Sequence, residues 1–437
     1  MEIKNDPLAG VSEAEAIYKQ SSAQPKILLS SKQLSVEPYK GTRDFYPVDQ
    51  FVQNYIFGVW KRVAESYGYL EYNASILEET DLYRAKTGEE IVNEQTYSFT
   101  DRGGRDVTIR PEMTPTVARM VAAKRKELTF PLRWYSIPNL FRYERPQRGR
   151  LREHWQLNCD IFGVDSVDAD VEIISLAYDI MKAFGAKDED FIIKINNRRA
   201  LTELFKGLGL DDEKEKIFRR LLDKKDKIED FEQQAKEILG KPFVANQKPD
   251  IGTAEVIQKL KDRGITNAVY DAYLVRGFDY YTGTVFEMYD INPKNPRALF
   301  GGGRYDDLVS IFGVEKVSGI GFGWGDVTTR DFLETYNLLP EYHPPTQLYI
   351  CNLENYLEAA NKLASDLREQ GINVAVDLSD RKVSQQVKTA DREKIPFVVV
   401  VGEEEVKSGK FKVKSLKDSK ETIVDKDKIL DLIKISK

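Results

Sequence analysis

The sequence predicts an α+β domain built from β-hairpins and interrupted by a charged helical insertion, followed by a separate α/β domain. Three observations carry this reading. β-prone runs joined by turns fill the region between about residues 68 and 163. Apolar positions take helical spacing within a highly charged stretch at 200–265. Beyond the proline-rich "LPEYHPP", strands alternate with helices, the pattern of a parallel or mixed sheet.

The elements follow in order. Residues 1–37 lack periodicity and read as an N-terminal extension. From Asp49, residues Val52, Tyr55, Ile56, Val59 and Val63 recur at helical spacing, which predicts a long amphipathic helix to Ser66. "GYLEYNASILEE" reads as a strand region, and "TYSFTDRGGRDVTIRPE" as a hairpin around Arg102, Gly103 and Gly104. Residues 132–163 predict a longer hairpin. "LRWYSIPNLFRYE" enters, "RPQRGR" loops and "HWQLNCDIFG" returns. Strand period two puts Arg142 and Glu144 on one face of the first strand, and His154, Gln156, Asn158 and Asp160 on one face of the second. Unpaired polar groups inside a sheet cost about 1–3 kcal/mol each. Either solvent on an open face or a polar ligand must satisfy them. The insertion "DDEKEKIFRRLLDKKDKIEDFEQQAKEIL" reads as helices with solvated outer faces. Near the C-terminus, "LYIC", "NVAVDL" and "FVVVV" are strands, with helices at 357–367 and 382–394 between them. The expected domains are a core at 38–335, interrupted by the insertion at about 200–265, a linker at 336–344 and an α/β domain at 345–437.

Composition narrows the function. A chain of 437 residues suits two or three domains. Two cysteines, Cys159 and Cys351, supply neither a disulfide framework nor a cysteine-rich zinc site, and two histidines leave little for a histidine-ligated metal. No resident metal is expected. The charged N-terminus reads as no secretory signal, and the longest apolar run is far too short to span a bilayer, so a cytoplasmic protein is expected. With a formal net charge of −6, nucleic acid would have to be met by a local basic surface.

The polar positions suggest the chemistry. Glu112 follows Arg110 and Pro111. Arg142 and Glu144 lie on one strand, with Gln156 and Asp160 on the next. Arg276, Tyr280 and Tyr281 lie within "VRGFDYYTGTVFE", and Arg304 and Tyr305 follow "GGG". Nothing forms a convincing Ser-His-Asp or Cys-His set. The glycines at 319, 321, 323 and 325 do not match a dinucleotide fingerprint. Arginines clamp anions in two-pronged fashion, and a carboxylate opposite them can hold an amine. Such a set suits a zwitterionic amino acid beside a polyphosphate.

"FRYERPQRGRLREHWQ", "RPEMT", "LVRGFDYYTGTVFE" and "GGGRYDDL" resemble the signatures of histidyl-tRNA synthetases, a class II aminoacyl-tRNA synthetase family. The resemblance runs from "GTRDFYP" at residue 41 to the end of the chain. It implies a six- or seven-stranded antiparallel catalytic sheet, an inserted helical domain, a C-terminal anticodon-binding domain and a homodimer. It also implies ATP, with Mg2+, and L-histidine as substrates, and histidine tRNA as partner. By the same resemblance Arg276 bridges the amino acid carboxylate and the ATP α-phosphate, and Arg142 binds that phosphate. Tyr280 and Tyr281 line the imidazole pocket, with Tyr305 nearby, and Asp160 accepts from the ring. Glu112 and Gln156 hold the α-amino group, with Met113 and Thr114 beside them. Glu144, Arg150, His154 and Asp326 complete the ATP site. Arg145, Arg148 and Arg150, in a basic loop, suit contact with ATP or the tRNA acceptor end. A catalytically silent regulatory relative of histidine biosynthesis is the alternative. Such relatives typically lack the anticodon domain and the arginine at position 276, and this chain has both.

The sequence departs from the family pattern in three places. Ser75 stands where the first motif has proline, which bears on the dimer interface. His154 stands where phenylalanine usually covers adenine. Asp326 aligns with the third-motif arginine, which moves the local charge by two units. Three expectations for Asp326 and its neighbour follow. Asp326 could act through magnesium, Arg330 could replace the lost charge one helical turn on, or Asp326 could simply cap its helix.

Overall fold

The computed structural model describes residues 34–85, 94–223, 225, 228–246 and 248–435. Apart from residues 34–37, which are exposed and irregular, the expected N-terminal extension lies outside them. Helix α1 (Pro47–Ser66) begins on a proline, which costs nothing in a first turn that lacks N–H partners. It buries Val52, Ile56, Val59, Trp60 and Val63 as one stripe. There follow β1 (Leu70–Glu71), β2 (Leu77–Glu79), α2 (Thr80–Arg84), β3 (Tyr97–Thr100) and β4 (Asp106–Ile109). β2, β4 and β3 form a small antiparallel sheet. The β3–β4 turn closes where the glycines allow it. Gly104 takes a φ of 79°, and the Asp101 carboxylate accepts from the Gly103 and Arg105 backbone N–H groups at 2.8 and 3.0 Å.

The large sheet is assembled from β1, β5 (Leu132–Ser136), β6 (Asn139–Phe141), β7 (Glu153–Phe162), β8 (Phe191–Asn197), β9 (Ala268–Tyr270), β10 (Thr284–Asp290), β11 (Ala298–Arg304) and β12 (Gly319–Gly325). Its order is β1-β5-β7-β12-β11-β10-β8-β9, and β6 pairs with the start of β7. The strands from β5 to β8 run antiparallel, whereas β1 and β9 join the two edges in parallel. The resemblance implied six or seven antiparallel strands. The sheet has nine, because these short edge strands add to it. The first strand of the long hairpin also ends earlier than expected, at Phe141. Arg142 and Glu144 therefore lie beyond it, in the segment leading to the basic loop.

The two faces of the sheet differ. α1, α4 (Val167–Ala183, between β7 and β8) and α8 (Ile251–Asp262, before β9) cover one face. Leu157, Cys159 and Ile161 of β7, Phe286 and Met288 of β10, and Ile320, Phe322 and Trp324 of β12 fill that core. The intervening residues of the same strands project to the other face. α3 (Thr114–Lys124) precedes β5. Helices α5 (Arg198–Gly207), α6 (Asp212–Asp223) and α7 (Phe231–Leu239) close a small core of their own around Phe205, Phe218, Phe231 and Phe243. α8, within the stretch read as insertion, instead sends Val256 and Leu260 into the main core. α9 (Asp326–Thr335) follows β12 directly.

Beyond residue 347 the chain forms β13 (Leu348–Asn352), α10 (Leu357–Glu369), β14 (Val374–Val376), α11 (Val383–Arg392), β15 (Phe397–Val401), α12 (Glu403–Ser408), β16 (Lys410–Ser415), β17 (Glu421–Asp425) and α13 (Ile429–Ile435). The sheet order is β14-β13-β15-β16-β17, parallel among the first three strands and antiparallel after. "FVVVV" is apolar throughout because helices flank a central strand on both sides. Leu348, Ile350, Leu363, Leu367 and Val399 are buried in a core made only by this segment. Burying each such side chain contributes about 1.5–3 kcal/mol. A fragment of residues 345–437 is therefore expected to fold alone and to unfold cooperatively when heated, followed by circular dichroism. A broad, non-cooperative melt contradicts an independent core.

Candidate active site

The uncovered face of the large sheet carries a pocket of about 810 Å³. β7 forms one wall. Its His154, Gln156 and Asn158 line the pocket, and Asp160 lies buried just behind the lining at the foot, bonded by Tyr305, which does line it. From Asp160 to His154 the strand advances about 20 Å at ~3.3 Å per residue. Glu112 and Thr114 enter from the β4–α3 junction, Arg142, Glu144 and Arg150 from the basic segment, and Arg276, Tyr280 and Tyr281 from the segment before β10.

The pocket has room because the glycines at 301 and 303 of β11 and at 319, 321 and 323 of β12 carry no side chains on this face. A Cβ at Gly323 would stand 2.7 Å from Gln156 Oε1, and one at Gly319 2.5 Å from the Tyr305 ring. At Gly321 it would overlap the Asp160 carboxylate. At Gly301 and Gly303 it would meet Arg276 at 2.8 Å and Tyr281 at 2.9 Å. The alternating glycines of "GIGFGWGD" are thus the floor on which neighbouring polar side chains lie flat. Their other-face neighbours Ile320, Phe322 and Trp324 pack the core.

At the foot, the Tyr305 hydroxyl donates to Asp160. Burial pushes the Asp160 carboxyl up to about 7, against the opposing effect of that hydrogen bond. Tyr280 donates to Glu112 at 2.9 Å, and both are buried. Burial, reinforced by Glu112, holds the Tyr280 hydroxyl well above its ordinary range, so it remains a donor. Tyr281 is likewise raised by burial, with Arg276 opposing.

Arg276 occupies the middle. Its guanidinium pairs with Glu287 and lies 6.0 Å from the centre of the Tyr281 ring. Glu287 also accepts from the Tyr289 hydroxyl at 2.5 Å. The carboxylate fixes the arginine on one side and leaves Arg276 facing the cavity. Sequence reasoning missed Glu287. The signal was available: on β10, Val285, Glu287 and Tyr289 alternate with Phe286 and Met288. Arg142 is oriented by a hydrogen bond from its Nε to the Pro111 carbonyl at 2.8 Å, and lies 5.8 Å from the Phe278 ring centre.

At the other end His154 faces the cavity. Burial, with Arg142 and Arg43 nearby, pushes its imidazole down to about 3, so the ring is neutral and aromatic near neutral pH. Arg150 pairs with Glu144 at 3.3 Å. Arg297 and Thr328, neither singled out from the sequence, also line this end.

Several expected residues do not reach the cavity. Asp326 is completely buried behind it, where its carboxylate accepts from Arg43 at 2.7 Å, Gln53 at 2.8 Å and the Trp155 N–H at 3.0 Å. A carboxylate so enclosed has no edge left for magnesium. Nor does it cap α9, since Gly325 is the N-cap and no side chain bonds there. It ties α1, β7 and the approach to α1 together. The next two residues, Val327 and Thr328, line the cavity instead. Arg330 does not replace the missing charge, because it pairs with Asp49 at 3.0 Å and Glu334 at 2.9 Å. Met113 is buried in the fold and does not line the pocket. Arg148 bonds Asn295 at 2.9 Å and the end of α9, and Arg304 pairs with Asp170 and Asp306, so both act as clamps. Among the described residues no cluster of three His, Cys, Asp or Glu side chains could hold a metal. No helix among them is long and apolar enough to cross a membrane.

An antiparallel sheet with an arginine-lined pocket on its open face, a small helical insertion and a separate mixed-sheet domain define a class II aminoacyl-tRNA synthetase. Family models agree. The histidyl-tRNA synthetase model matches residues 41–245 and 229–325, and an anticodon binding domain model matches residues 347–435. The histidine–tRNA ligase of Leptospira biflexa is 44% identical over 414 residues, 89% of this chain and 95% of its own. That of Thermoplasma volcanium is 37% identical over 416 residues, 90% of this chain and 96% of its own. The crystal structure of histidyl-tRNA synthetase from Nostoc shares the fold, with a TM-score of 0.74 at 23% identity over 92% of this chain and 100% of its own. The chain belongs to the histidyl-tRNA synthetase family.

Two outcomes test the site geometry. Gly321→Ala is expected to fold yet displace Asp160 and lose histidine binding in calorimetric titration; unchanged affinity refutes the role of the bare floor. Asp160 has a pH signature. Its folded value near 7 lies above the ordinary 3.8, so stability is lost as pH rises between those values. Asp160→Asn should therefore gain stability relative to the parent by about 2.7 kcal/mol between pH 5 and pH 8, at 1.36 kcal/mol per unit over the two units below 7. A difference independent of pH contradicts this.

Proposed function

We propose that the protein is a histidine–tRNA ligase that activates histidine with ATP and transfers it to histidine tRNA. The observation that carries this is one continuous pocket. An acid–phenol pair, Asp160 and Tyr305, lies at its foot, two arginines lie in the middle, and a neutral imidazole, His154, lies at the far end. Histidine offers one ring nitrogen that donates and one that accepts. Asp160 takes the donor, and the phenols of Tyr280, Tyr281 and Tyr305 surround the ring. An apolar amino acid would leave these buried groups unpaired, which is how such sites reject analogues strongly. Glu112 and Gln156 receive the α-ammonium, with Thr114 beside them.

In the first step a histidine carboxylate oxygen attacks the ATP α-phosphorus and the bond to the bridging oxygen breaks. Histidyl-adenylate forms and pyrophosphate leaves. Arg276, held by Glu287, and Arg142 face the charge that develops on the α-phosphoryl oxygens. No side chain need act as a nucleophile; positioning and positive charge suffice. His154 offers its ring to the adenine. Magnesium bound to the nucleotide would supply neutralisation of phosphate charge. Glu144 is the pocket carboxylate at that end that would help the phosphates hold it. In the second step a terminal ribose hydroxyl of the tRNA attacks the acyl carbon and AMP leaves. The domain from 345 onward reads the anticodon, and the basic segment around Arg145 meets the acceptor end. A homodimer would cover the exposed Leu70, Ile76, Leu77 and Phe99. The natural setting is the cytoplasm.

Histidine-dependent ATP–pyrophosphate exchange tests the reading. Activity is expected with histidine, and its absence in folded protein supplied with magnesium favours the regulatory alternative. Arg276→Ala should lower the exchange rate by about 10²–10³, the usual effect of removing one preorganised contact to transition-state charge. A variant that exchanges at the parent rate disproves the catalytic assignment.

A further inference from the structure

The start of α9 presents no cation to the pocket's nucleotide end. Asp326 is turned into the fold, Arg330 is paired on the outside, and Thr328 contributes only a hydroxyl there, bonded to the Leu299 carbonyl at 2.7 Å. Positive charge for a polyphosphate at this end must come from elements other than α9. The β10–β11 connection supplies it. Its Arg297 lines the same end of the pocket. The guanidinium is partly exposed and bonds Gln147 of the basic loop at 2.9 Å. It makes no ion pair with a described carboxylate. Its charged neighbours are Arg150 and Glu144, and the only carboxylate of that group is already engaged by Arg150 at 3.3 Å. Two guanidiniums thus lie near one carboxylate, and only Arg150 contacts it. Burial and then the repulsion from Arg150 hold Arg297 below its ordinary value. An anion arriving here relieves that repulsion.

We propose that Arg297, together with Arg150, binds the terminal phosphates of ATP and supplies the charge that α9 does not present to the pocket. The inference rests on the ligase reading, because it assumes that ATP occupies this pocket. Gln147 pre-orients the guanidinium and couples it to the basic loop. Phosphate binding therefore draws the loop over the nucleotide from its other side. The arrangement is specific to charge beyond the α-phosphate, since Arg142 and Arg276 already serve that group.

The test compares ATP with AMP, which lacks the terminal phosphates. Binding of each to the full chain is measured by calorimetry for the parent, Arg297→Ala and Arg297→Lys, with magnesium present. The parent should bind ATP more tightly than AMP. Arg297→Ala should weaken ATP by about 10- to 100-fold, the usual range for a charge-assisted hydrogen bond, and leave AMP unchanged. Arg297→Lys should recover part of the loss, because the charge returns without the two-pronged geometry. Equal weakening of both nucleotides, or none of either, overturns the proposal and leaves the ligase reading standing. A folded parent that binds neither nucleotide overturns both.

Discussion

The site depends on close approach of backbone to side chain across β11 and β12. Five glycines, at 301, 303, 319, 321 and 323, leave that part of the sheet bare on one face. Gln156, Asp160, Arg276, Tyr281 and Tyr305 lie within van der Waals distance of the space that side chains would have filled. The same strands bury Phe300, Ile320, Phe322 and Trp324 on the opposite face, so the loss of packing is one-sided. A sheet can carry such a strip because its side-chain period is two. One face stabilises the domain and the other is free for chemistry.

The charges on that face are arranged by partners that are buried or largely buried. Glu287 sets Arg276, the Pro111 carbonyl sets Arg142, and Tyr305 sets Asp160. Each partner reduces the number of orientations a functional group can take before substrate arrives, which lowers the reorganisation required at the moment of reaction. Asp326 shows the contrasting use of a charge. Enclosed by Arg43, Gln53 and the Trp155 N–H, it anchors three elements and takes no part in the cavity. Removing one member of a buried pair of this kind is strongly destabilising, because the other charge is left uncompensated.

The buried acid at the foot of the pocket carries a cost in stability. Asp160 loses stability for the empty fold as pH rises from the ordinary carboxyl value toward 7, because burial disfavours its charged form. The phenols around it stay protonated for the same reason, since burial disfavours phenolate. Desolvation therefore tunes donors and acceptor together in one small volume.

The sequence by itself determined part of the element order, though the glycine-rich segments that form β11 and β12 carry no strand signal, because glycine supplies neither β-propensity nor alternation. The helix at 47–66, both hairpins and the alternation beyond residue 345 follow from periodicity, turn residues and local burial, which act over a few residues. It also determined that His154, Gln156, Asn158 and Asp160 share a face, because period two is a local property. The strings "FRYE", "RPEMT" and "VRGFDYYTGTVFE" carried the family. Tertiary structure alone decided the rest. The purpose of the glycines at 319, 321 and 323 depends on which side chains lie across the sheet from them, and those come from residues 156, 160 and 305. Whether Asp326 or Thr328 faces the cavity depends on the rotation of α9 as it leaves β12, which the packing of α1 and Arg43 fixes. Arg297 acquires meaning only when Gln147, Glu144 and Arg150, about 150 residues earlier by count, are brought beside it. Electrostatics works through space, and sequence separation does not report it.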